Sequence, residues 1–132
     1  MKFTGHVYAN IIMKGAVGEV SLKDVIVDTG ASYTILGKDV VERIGAWPIP
    51  HKLDLELGDG RLVKASVYAV IVSLGDGSAA TLVSCFEGAK NVIGVRTLED
   101  LGLKVDPVSG KLEAGRPKNV AYFYGGGLWN ED

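Results

Sequence analysis

The chain has a single cysteine, two histidines, no excess of positive charge and no long apolar run. Cys85 alone rules out an intrachain disulfide. It is expected to act as a small buried apolar residue in a reducing compartment. His6 and His51 lie far apart and fit no zinc-ligand spacing, so neither a metal nor a cofactor is expected. A formal charge of -2 supplies no basic stripe for nucleic acid and no polybasic patch for a membrane surface. The longest apolar run, Val67 to Val72, is too short to cross a bilayer. The N-terminus lacks a charged start followed by a continuous apolar stretch, so no signal peptide is expected. The expectation is a cytoplasmic protein with neither nucleic acid nor membrane as partner.

What is present is a chain of 132 residues, 47% hydrophobic, enough for one domain with one core. Its 18 glycines exceed the usual share, which is roughly 7%. They are spread along the chain and read as turns. Residues 1–124 are expected to form the domain, with 125–132 a flexible Gly-rich tail. Most of the chain reads as β. Phe3 to Met13 and Val17 to Val27 suggest a hairpin over Lys14-Gly15-Ala16. Tyr33 to Leu36 reads as a short strand. Lys38 to Ile44 reads as a helix stopped by Gly45. Trp47 to Pro50 reads as an extended linker. Leu53 to Leu57 alternates strictly, Gly58-Asp59-Gly60 turns the chain, and Arg61 to Leu74 returns. Its part from Val67 to Val72 is apolar on both faces and is expected to be deeply buried. Gly75-Asp76-Gly77 turns again into Ala79 to Phe86. A short strand over Asn91 to Gly94 leads into a helix, Val95 to Leu101, stopped by Gly102. A last hairpin spans Leu103 to Glu113, and Val120 to Tyr124 reads as one more strand. Regular short strands with turn signals between them imply an all-β barrel or sandwich.

One stretch carries chemistry. Val25-Ile26-Val27-Asp28-Thr29-Gly30-Ala31-Ser32 is an apolar run ending in an acid, a hydroxyl and a glycine. Taken alone, Asp-Thr-Gly is most often an ordinary turn. Here it follows a buried strand that delivers one carboxylate into a tight loop. Val27 to Leu36 resembles the active-site segment of the aspartic proteases. Alanine after Asp-Thr-Gly and Thr34 four residues after Gly30 make it most similar to the retropepsin-like branch. A second signature follows in the expected order: Val92-Ile93-Gly94 and then a short helix. The Gly58-Asp59-Gly60 hairpin lies between the two, where that family carries its flap.

The resemblance implies a closed six-stranded-type acid protease barrel with a flap hairpin and one or two short helices, working as a symmetric homodimer. It implies an aspartic endopeptidase that cleaves a peptide or an unfolded protein segment. Asp28, Thr29 and Gly30 would form the catalytic loop. Thr29 would bond the partner's loop, and the Gly30 N–H would bond a carboxylate. Ala31, Gly58, Asp59, Gly60 and Arg61 would meet substrate. Val92, Ile93 and Gly94 would brace the loop from beneath, with glycine at 94 because a side chain would collide with it. One chain has one such acid, and the reaction needs two, so a second copy must supply the other. Alanine at 31 offers the carboxylates no hydroxyl, unlike the serine or threonine often found there in pepsin-like enzymes. An optimum nearer neutrality than pepsin's is therefore expected. Two other readings fit the same residues: a non-catalytic dimeric peptide-binding module of this fold, and a monomeric assembly module.

Overall fold

The structure is a computed structural model and describes residues 6–115. The start of the first strand near Phe3, the strand expected over 120–124 and the tail over 125–132 lie outside the described residues. Strands β1 (Val7–Lys14) and β2 (Glu19–Val27) pair antiparallel across a turn in which the Gly15 N–H donates to the Gly18 carbonyl at 2.9 Å. Ala9, Ile11 and Met13 of β1 and Val25 and Val27 of β2 are buried. Their alternate neighbours face outward, the period of two that a half-buried strand requires. The pairing slips between Ala9 and Ile11. There Asp24 takes φ of 54°, and its N–H donates to Asn10 Oδ1 at 2.9 Å. Aspartate tolerates this left-handed region better than most residues.

Strand β3 (Thr34–Ile35) leads to helix α1 (Lys38–Ile44), which buries Val40, Val41 and Ile44. Gly45 ends the helix at φ 63°, where a side chain would be strained. Strands β4 (Trp47–Glu56), β5 (Leu62–Leu74) and β6 (Gly77–Cys85) form an antiparallel meander. Strand β7 (Val92–Ile93) precedes helix α2 (Val95–Leu101), which Gly102 ends at φ 73°. Strands β8 (Leu103–Val105) and β9 (Leu112–Ala114) make a separate hairpin.

Strands β1 to β7 form one sheet in the order β1-β2-β7-β3-β6-β5-β4, and β1 also pairs with β5 through Met13↔Val72. The sheet therefore closes into a ring, with β4 flanking it outside. Met13, Leu36, Ile44, Val72, Val83 and Ile93 fill the interior, all fully buried. Each such side chain contributes about 1.5–3 kcal/mol by leaving water.

Two expectations need correction. Trp47 to Pro50 is not a linker but the first half of β4. Prolines are tolerated because β4 is an edge strand, whose only strand partner among the described residues is β5. A slip between Ile49 and Lys52 absorbs Pro50 and His51. Val67 to Val72 is not buried on both faces. Val67, Val70 and Val72 are buried, while Tyr68, Ala69 and Ile71 are only half-buried. The burial phase slips between Val67 and Val70, where β5 leaves β4 and approaches β1.

The topology positions one loop. β7 lies between β2, parallel to it through Val27↔Ile93, and β3, antiparallel through Ile35↔Val92. The chain from β2 to β3 must therefore cross the end of β7, where Gly94 stands.

Candidate active site

Asp28 is the first residue beyond β2, and its N–H makes the last ladder bond, to the Ile93 carbonyl at 2.9 Å. The chain then turns, with the Ala31 N–H donating to the Asp28 carbonyl at 3.0 Å. The Gly30 N–H donates to Asp28 Oδ1 at 2.9 Å. This Asx-type bond fixes the carboxylate relative to its own loop. Asp28, Thr29 and Gly30 are exposed, and Ala31 is half-buried. A carboxylate is thus held facing solvent at the end of a strand whose preceding residue, Val27, is buried.

The loop rests on the start of α2. That helix has no side-chain N-cap. The amides at a helix start have no intrahelical acceptor, and here the loop accepts them. The Val95 N–H donates to the Ala31 carbonyl at 2.8 Å, and the Arg96 N–H to the Ser32 carbonyl at 3.0 Å. The Gly94 N–H donates to Thr34 Oγ1 at 2.9 Å. A Cβ on Gly94 would lie 2.5 Å from the carbonyl carbon and oxygen of Tyr33 and 2.9 Å from the Ala31 oxygen. Ile93 is fully buried and Val92 half-buried, paired with the last two residues of β2. The Arg96 guanidinium sits 4.9 Å from the centre of the Tyr33 ring. Such an exposed cation–π contact contributes about 0.5–1 kcal/mol.

The loop borders two hollows. One, of about 590 Å³, is lined by Asp28 and Thr29 together with His6, Val7, Ile26, Val105 and Pro107. The other, of about 370 Å³, is lined by Thr29, Ala31, Ser32, Arg96 and Glu99. Outside the ring, Tyr8, Ile26 and Val92 form a row across β1, β2 and β7. Tyr8 is 53% exposed and Ile26 36%, so the surface beside Asp28 is apolar.

Asp28, Thr29, Gly30, Ala31, Val92, Ile93 and Gly94 are therefore brought together. Gly58, Asp59, Gly60 and Arg61 are exposed at the tip of the β4–β5 hairpin and line neither hollow. Their turn is well made: the Gly60 N–H donates to the Leu57 carbonyl at 2.9 Å, with Gly60 at φ 88°. The Asp59 carboxylate accepts the Arg61 backbone N–H at 3.0 Å and Nε at 2.8 Å. That amide first, and the guanidinium second, hold the Asp59 carboxyl below its ordinary range. Burial pushes the Cys85 thiol up, which disfavours the thiolate a nucleophile would need.

Sequence reasoning missed Thr97 and Thr81, whose buried hydroxyls back the Gly94–Thr34 bond. The available signal was a β-branched hydroxyl residue in the middle of a short helix, a poor helix former that needs another reason to be there. Among the described residues, no His, Cys, Asp and Glu side chains gather into a metal-binding group. No helix among them is long and apolar enough to cross a membrane. No protein-family model matches the chain, and no curated protein matches it.

Proposed function

We propose that the chain is an aspartic endopeptidase of the retropepsin-like kind that works as a symmetric homodimer, each copy contributing Asp28. One observation carries the reading. Asp28 is an exposed carboxylate at the end of a buried strand, on a loop bonded to β7 and α2 and fixed by the Gly30 N–H at 2.9 Å. A held acid of this kind suits the activation of water, which demands a fixed geometry.

The reaction needs two such acids. Two carboxyls about 3 Å apart cannot both ionise and so share one proton. The ionised member takes a proton from water. The water oxygen bonds to the scissile carbonyl carbon while the protonated member gives its proton to the carbonyl oxygen. The resulting diol collapses: a proton passes to the amide nitrogen, the C–N bond breaks, and the pair again holds one proton. This route uses neither metal nor cofactor.

The apolar surface beside Asp28 supports a second copy as partner. In this reading the ring is the acid protease barrel, and the hollow bordered by Ala31 receives substrate. The hairpin over Gly58 to Arg61 is the flap, which closes on an extended peptide through main-chain hydrogen bonds. The substrate is a peptide or an unfolded protein segment. A cytoplasmic setting is part of the proposal and rests on the lone, buried Cys85.

The test is cleavage of a broad peptide library from acidic to neutral pH, with and without a statine-type transition-state mimic. Cleavage that the mimic blocks and Asp28→Asn abolishes supports the reading. A folded wild-type dimer that cuts nothing favours the non-catalytic peptide-binding module instead.

A further inference from the structure

We infer that Thr97 and Thr81 are positioning residues for Asp28, acting through a buried chain of hydroxyls; the inference rests on the protease reading above. Thr34 and Thr97 are fully buried and Thr81 is 4% exposed. They come from β3, α2 and β6. Thr34 Oγ1 lies 2.6 Å from Thr97 Oγ1, which lies 3.0 Å from Thr81 Oγ1. Valine has nearly the same shape, and the neighbouring Ile93, Leu98 and Val83 are buried, as is Ser84, whose Oγ donates to the Thr34 carbonyl at 3.4 Å. Three hydroxyls in such a place need a purpose, because each must find a partner there.

The purpose is the Gly94 amide. Its N–H is one of the orphan donors at the start of α2, and Thr34 Oγ1 accepts it at 2.9 Å. The Thr34 hydroxyl is held in turn by Thr97, and Thr97 by Thr81. Thr97 Oγ1 lies within hydrogen-bond distance of both other hydroxyls, and in each pair either oxygen can donate.

The link to Asp28 is a single peptide plane. The Gly94 N–H and the Ile93 carbonyl belong to the same planar unit. The Ile93 carbonyl accepts the Asp28 N–H at 2.9 Å. Rotation of that unit to relieve an unpartnered N–H would also move the acceptor that fixes Asp28. The hydroxyl chain holds the plane from one side, and the absent Gly94 side chain leaves the loop room to sit on it.

Thr97→Val removes the central hydroxyl at nearly constant volume, and Thr97→Ser keeps it. For Thr97→Val the expectation is a roughly ten-fold fall in kcat with KM unchanged, as for an interaction lost in positioning rather than binding. The Gly94 and Asp28 amides should exchange hydrogen roughly ten-fold faster, with the Val70 amide unchanged. Thr97→Ser should restore both readouts. Thr81→Val, one step further from the loop, should move them the same way by less, and it serves if Thr97→Val does not fold. Wild-type kcat together with wild-type Gly94 and Asp28 exchange in Thr97→Val would overturn the inference. So would failure of serine to rescue. If the wild type cleaves nothing, the protease reading fails on its own, and the exchange rates alone decide whether the hydroxyls hold the Asp28 loop.

Discussion

Replacing Gly94 by alanine inserts a methyl group 2.5 Å from the Tyr33 carbonyl carbon and oxygen and 2.9 Å from the Ala31 oxygen. All three are backbone atoms, so no side chain can swing aside. Gly94 has φ -100° and ψ 176°, extended backbone open to alanine, so the cost is one of space. Forcing a carbon into a packed site costs about 1–3 kcal/mol. Moving the Gly94 peptide to relieve it weakens the bond to Thr34 Oγ1, about another 1 kcal/mol. Against this, alanine restricts the unfolded chain and returns about 0.4–1 kcal/mol. The balance is a loss of about 2 kcal/mol. For a domain near this size that lowers Tm by roughly 10 °C. Gly58→Ala is the control, since a Cβ there meets nothing within 4 Å. Thermal unfolding followed by circular dichroism compares the two. A Gly94→Ala protein that melts with Gly58→Ala would refute the claim that the loop is seated on this glycine.

Asp28→Asn should abolish cleavage, yet leave Tm within a few degrees of wild type, because the side chain is exposed and its bond to the Gly30 N–H can be kept. Loss of the fold instead would mean the acid is structural. Ala31→Ser introduces a hydroxyl able to favour the ionised carboxylate, so the acid limb of kcat/KM against pH should move to lower pH; an unmoved limb contradicts the role given to Ala31. Asp106 accepts the Val108 N–H at 3.0 Å and Ser109 Oγ at 2.8 Å. The first of these most strongly holds its carboxyl below the ordinary 3.8. A lowered folded value means stability that is present above 3.8 and lost as pH falls through the folded value. The protection of the Val108 amide relative to the unfolded chain should therefore fall under strong acid in wild type, and Asp106→Asn should lose that fall.

Both helices could be read in the chain because their apolar spacing is local and Gly45 and Gly102 mark their ends. The Asp28 loop was legible for the same reason: an apolar strand, an acid and a glycine occur together in eight residues, Val25 to Ser32. Gly94 was legible only through its resemblance to a known pattern. Trp47 to Pro50 misled because two prolines argue against a strand, and nothing local reveals that β4 is an edge strand, where proline is tolerated. Closure of the ring depends on Met13 meeting Val72, a contact between residues remote in sequence. Thr97 was hidden likewise: its partner Thr34 is 63 residues away, and a threonine in a helix carries no mark of what it touches. The relation of Gly58 to Arg61 to the Asp28 loop depends on where the β4–β5 hairpin lies in the fold, which no local pattern of the chain gives.

The most direct measurement mixes wild type with Asp28→Asn and lets subunits exchange before cleavage is assayed. If each active centre needs Asp28 from both copies, only wild-type pairs cut. At equal amounts the activity per wild-type chain should fall to about half, and in threefold excess of the variant to about a quarter, as random pairing in a two-fold dimer requires. Activity per wild-type chain that stays constant at every ratio would contradict a carboxyl pair shared between two copies.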